Sequence, residues 1–174
     1  YSEAVALFKE TEFYPHNLGE GKLSNAEENE VDYYKGIAYQ KLGNDAESTK
    51  YLMKATQGST EPQQAFYYND QQPDKIFYQG LAWRALGEEN KARSRFNKLI
   101  DHGKKHLFDD CKIDYFAVSL PELAIWEDNL NIRNQIHCYY VMALGYSGLG
   151  KEELAEEYYE KVKRLDVNKQ VFRM

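Results

Sequence analysis

Three Leu-Gly pairs, Leu42-Gly43, Leu86-Gly87 and Leu149-Gly150, constrain this chain more than any other feature. Each closes a stretch of helical periodicity, and each is followed within about two residues by a second stretch rich in Glu and Lys. Glycine just past the last apolar residue of a helix marks its C-terminus, because only glycine enters the left-handed conformation cheaply. The pairs therefore predict three tight helix hairpins.

Counting from the glycines aligns the hairpins. Gly36, Ala38 and Tyr39 precede the first turn, Gly80, Ala82 and Trp83 the second, and Ala143, Gly145 and Tyr146 the third. Ser48, Leu52 and Ala55 follow the first turn, Ala92, Phe96 and Leu99 the second, and Ala155, Tyr159 and Val162 the third. Steps of four then three put each trio on one helix face, where small side chains admit a close neighbour. Ala4, Phe8 and Thr11 repeat the trio, so residues 1–14 read as the second helix of a shortened first hairpin.

This grammar of small residue, Tyr or Trp, and Ala-x-x-x-Phe resembles the tetratricopeptide repeat. The resemblance implies an all-α, right-handed helical-hairpin solenoid with three full repeats and a truncated first one. The expected layout is a single domain over 1–174, with a half repeat at 1–14, repeats at 25–57, 74–102 and 130–164, and insertions at 58–72 and 104–129. There are departures: the motif's early Trp is replaced by Asp32, Ile76 and Tyr139, and its closing Pro is absent. The glycines at 43, 87 and 150 lie 44 and 63 residues apart, against about 34 in a regular array. The segments Asn17-Leu18-Gly19-Glu20-Gly21-Lys22, Tyr67-Tyr68-Asn69-Asp70 and 114–121 further resemble the C-terminal, repeat-bearing region of large bacterial proteins with an N-terminal domain of unknown function. That likeness implies an accessory module of a longer chain. So does the start at Tyr1, within helical patterning and without Met.

Local signals place the helices. Ser24 with Glu27 forms a capping box opening a helix over 25–42, and Asn44 with Glu47 opens one over 45–57. Pro73 suits a first helical position before 74–86. A helix over 89–102 ends at His102-Gly103, and Asp128 or Asn129 caps one running to about 148. The last covers 151–164, and a short helix is expected near 121–127.

The family resemblance sets the first helix of each pair along the concave side. It directs Glu30, Tyr33, Ile37, Gln40 and Lys41, then Asp74, Phe77, Leu81 and Arg84, then His137, Tyr140, Leu144 and Ser147 into a groove. An aromatic row (Tyr33, Phe77, Tyr140) beside an aliphatic row (Ile37, Leu81, Leu144), with Lys41 and Arg84 at the rim, would suit a peptide or partner helix. The burial tendency of such side chains favours a filled groove over an open one. The insertions offer a second candidate site at Tyr67, Tyr68, Asn69, Asp70, Asp114 and Tyr115, which could hold a sugar by stacking and hydrogen bonding. Aromatics there serve more readily as core plugs.

Function is therefore expected to be protein interaction or scaffolding, through a partner peptide, a helix or the parent chain. A carbohydrate-associated module is the alternative. A net charge of −6 speaks against nucleic acid and anionic membranes as partners. The longest stretch without charged residues, Asn134–Gly150, is too short and polar to span a bilayer. Two cysteines, Cys111 and Cys138, make no disulfide framework and weakly favour a cytoplasmic setting. His102, His106 and Cys111 match zinc spacings poorly, and adjacent His137 and Cys138 point about 100° apart on a helix, which does not suit a nucleophile and its base. No catalytic, metal or cofactor site is expected.

Overall fold

The Leu-Gly turns form as the sequence requires. In the computed structural model, which describes residues 1–19, 21, 27–65, 71–112 and 129–167, Gly43, Gly87 and Gly150 all take positive φ, at 74°, 81° and 70°. At each turn the following amide bonds back five residues: Asn44 to the Tyr39 carbonyl at 3.0 Å, Glu88 to Trp83 and Lys151 to Tyr146 at 2.9 Å. The glycine amides bond three residues back, to Gln40, Arg84 and Ser147. These paired bonds satisfy the carbonyls that a helix end leaves orphaned.

The described residues form helices joined by turns and loops, with no strand among them: α1 (Ser2–Glu10), a 3-10 turn (His16–Leu18), α2 (Asn29–Lys41), α3 (Asp45–Ala55), α4 (Pro73–Ala85), α5 (Glu89–His106), α6 (Leu130–Gly148) and α7 (Glu152–Leu165). Contacts group the chain into two compact units, Tyr1–Glu61 with Asp74–Arg95, and Pro62–Pro73 with Phe96–Met174.

Several starts and stops agree with the sequence. Asn44 accepts a bond from the Glu47 amide, Pro73 opens α4, and Asn129 caps α6 through the amides of Asn131 and Ile132. Two differ. The helix expected from residue 25 begins at Asn29, with Glu27 outside it and Ser24 beyond the described residues. Nor does α5 stop at His102-Gly103; it continues to His106. Gly103 is not a terminus but a crossing point, since a β-carbon there would lie 2.7 Å from the Cys138 carbonyl of α6.

The trios on α3, α5 and α7 are all buried. That of α1 is not: Ala4 and Phe8 are half-buried and Thr11 is exposed, its hydroxyl bonded to the Phe8 carbonyl. In the first unit Leu52, Ala55 and Ala82 form a core cluster beneath Tyr33, Ile37, Ala85 and Leu86. Gly36 fits over Leu52, whose Cγ would stand 2.6 Å from an added β-carbon. In the second unit Gly145 of α6 faces the Phe96 carbonyl oxygen and Ile100 Cγ1 of α5 at the same 2.6 Å spacing, and Gly148 lies on the Phe96 ring.

Polar side chains finish what the caps leave open. Asn29 Nδ2 donates to the carbonyls of Ala55 and Gln57, at 2.8 and 2.9 Å. Gln79, fully buried, donates to Gln57 and Ser59 and accepts from Arg95 Nε. The end of α3 is thus closed by one side chain from α2 and one from α4.

Gly145→Ala sets two effects against each other. Alanine gains about 1 kcal/mol of helix propensity, but its methyl would press on a backbone oxygen that cannot swing aside. We expect a net loss of about 1–3 kcal/mol, measured as a lower urea midpoint. Asn29→Ala removes the bond that satisfies the Ala55 carbonyl and should cost about 1–3 kcal/mol, read by the same denaturation.

Candidate binding surface

The residues expected in the groove divide by burial. In the first unit Phe77 and Leu81 are core, 2% and 7% exposed, while Tyr33 and Ile37 are half-buried over the Leu52–Ala82 cluster. Gln40, Lys41 and Arg84 are exposed. Glu30 pairs with Lys75 at 2.7 Å, and Arg84 grips Glu89 through Nε and a terminal nitrogen at 3.1 and 3.2 Å. In the second unit Tyr140 and Leu144 are buried, the latter completely, and His137 and Ser147 are half-buried. The apolar rows are thus not continuous strips open to solvent. Four of their six members serve as core, as apolar side chains do wherever neighbouring helices can cover them.

A cluster of rings runs beside Tyr33. Tyr34 stacks on Phe8 and meets the edges of Tyr33 and Tyr78, and its hydroxyl lies 3.3 Å from that of Tyr78. Burial raises the Tyr78 phenol well above its usual range, with the Tyr34 hydrogen bond adding to the effect. Burial likewise raises Tyr33, Tyr34 adds to that, and the Arg84 charge pulls the other way.

The departure from the repeat motif at Asp32 finds a charged partner. Asp32, in the early-Trp position, is buried and pairs with Lys54 at 3.2 Å. Burial raises its carboxyl, and Lys54 and Lys35 lower it. Lys35, 1% exposed, pairs with Glu12 at 2.5 Å and lies 5.3 Å from the Tyr51 ring centre. Sequence patterning gave no sign of a lysine in the core, since a single charged residue on a helix ordinarily reads as surface.

The remaining candidates resolve differently. Tyr67, Tyr68, Asn69, Asp70, Asp114 and Tyr115, with the helix expected near 121–127, lie outside the described residues. Glu152, Glu153, Glu156 and Glu157 are exposed on α7. Cys138 is buried, which pushes its thiol up to about 12. The i, i+4 pair His102 and His106 is joined by His137 of α6, whose ring centre is 6.0 Å from that of His102. This third histidine was out of reach of spacing arguments because it comes from another helix. Among the described residues no group of three or more His, Cys, Asp or Glu is placed to hold a metal ion. None of their helices is long and apolar enough to cross a membrane.

No solved structure matches the chain. Residues 136–168 match the family model of the tetratricopeptide repeat. That stretch takes in most of α6, the Leu149-Gly150 turn and all of α7. The α6–α7 hairpin is accordingly similar to a tetratricopeptide repeat, set in a chain whose described helices carry the same glycine-closed turn twice more.

Proposed function

We propose that the chain is a protein-binding scaffold that receives a peptide or helix, from a partner or from its own longer polypeptide, along the α2–α4 side of the first unit. Tetratricopeptide repeats generally serve protein–protein contact or scaffolding. The observation that carries the more specific reading is the grading of exposure on that side. Tyr33 and Ile37 are half-buried over the Leu52–Ala82 core, Gln40 and Lys41 are exposed one helical turn beyond Ile37 on α2, and Arg84 is exposed on α4.

Such a surface suits a ligand with a large apolar side chain next to an acidic one. The apolar group would cover what remains open of Tyr33 and Ile37. The carboxylate would compete for Arg84, whose present partner Glu89 is itself half open to water, so exchanging one surface ion pair for another costs little. Fixed aromatic floors favour binding because ordering them has already been accomplished in folding.

The test is to select binders from a displayed library of random 16-residue peptides and titrate them by fluorescence anisotropy. Lys41→Glu with Arg84→Glu, both at exposed positions, should leave helical circular dichroism unchanged and weaken the selected peptides at least tenfold, about 1.4 kcal/mol. Unaltered affinity in that variant would remove the site from this face. Phe77→Ala is a poor probe, since a buried ring costs about 3–5 kcal/mol of stability when truncated.

A further inference from the structure

Three imidazoles meet where the last turns of α5 lie against α6. The His102 and His106 ring centres are 4.6 Å apart, and His137 stands nearly perpendicular to His102 at 6.0 Å. His106 Nδ1 shares a 2.6 Å contact with Asp109 Oδ2, and Asn134 of α6 donates to the His106 carbonyl at 2.7 Å. The helices have no slack here, because Gly103 is already at the closest approach to the Cys138 carbonyl. His102 Nε2 is sealed from solvent and has no hydrogen-bond partner.

We propose that this cluster is an acid-sensitive latch, in which neutral His102 lets the end of α5 lie on α6 and protonated His102 releases it. An imidazolium carries two N–H donors that must both find acceptors, and His102 Nε2 faces no acceptor. Among the described residues, the charged and titratable groups around it are Lys105, His106 and Asp109 on its own side and His137 from α6. Only Asp109 favours the cation, and it is already engaged by His106. Burial, then His106, lowers His102 from 6.5 to about 4.

The sign follows from the folded value lying below the unfolded one. The stabilising contribution is complete above about pH 6.5 and is lost as pH falls toward 4. Full linkage would raise the opening equilibrium about 20-fold between pH 7 and 5. His102 is only partly enclosed, so solvent screening reduces the expected change to several-fold.

Hydrogen exchange with mass spectrometry, in EDTA and corrected for intrinsic rates, should show Leu99–His106 and Asn134–Met142 losing protection several-fold from pH 7 to 5. The α2–α3 hairpin should change less, and His102→Gln should flatten the dependence. A titration of the wild-type imidazole proton resonances needs no variant: His102 should stay neutral well below pH 6. A His102 that titrates near 6.5 with protection intact would overturn the proposal, as would equal losses in wild type and His102→Gln.

Discussion

Close approach of helix backbones is the constraint on which this architecture depends. Gly36, Gly103, Gly145 and Gly148 each stand where a β-carbon would collide with the facing helix. Once the helices are that near, the large residue of each trio has only one space to fill. Leu52 lies under Gly36, and Phe96 lies under Gly145 and Gly148. Apolar burial supplies the driving force, roughly 25 cal/mol per Å², but the glycines decide where that burial occurs. Helix propensity alone would favour alanine at all four positions. Glycine is kept where contact outweighs it.

Tight packing creates a second problem, which polar side chains solve. When α3 ends between two helices, its last carbonyls face protein instead of water. A buried carbonyl without a donor costs about 1–3 kcal/mol. Asn29 and Gln79 meet that need from opposite neighbours, so one helix end ties α2, α3 and α4 together. Lys35 and Asp32 follow the same logic with charge: each is buried, and each has an oppositely charged partner that remains partly in water. Such pairs need not add stability over an apolar core, though either partner left alone would be expensive.

Much of the fold was legible because its signals are local. A glycine after an apolar residue, an asparagine before a helix and a four-then-three spacing act within one or two turns, and they map onto the three Leu-Gly turns, the caps at Asn44 and Asn129, and the buried faces of α3, α5 and α7, though not of α1. Signals shared between helices were not legible. Gly103 has the same neighbours in sequence as a terminating glycine, and only α6 lying against it makes it an interior one. Lys35 looks like a surface residue until Glu12 and Tyr51 surround it. His137 cannot be linked to His102 by counting, since 35 residues separate them. The groove rows failed as continuous strips for a related reason. Offsets from a turn fix which way a side chain points on its own helix, but the neighbouring elements fix whether it is covered.

That distinction bears on where a partner could attach. Equivalent offsets hold Tyr33, Phe77 and Tyr140, yet only Tyr33 keeps part of its ring exposed. A residue that is completely buried cannot gain by meeting a ligand, because its apolar surface has already left water. One that is fully exposed and mobile must lose conformational freedom to bind. The half-buried residue on a rigid base is the favourable compromise. Tyr33 and Ile37 satisfy that condition together, with the ring cluster of Phe8, Tyr34 and Tyr78 bracing them from one side and the Leu52–Ala82 core from beneath. On the binding surface proposed above, recognition would therefore follow the unevenness of the packing more closely than the regularity of the motif.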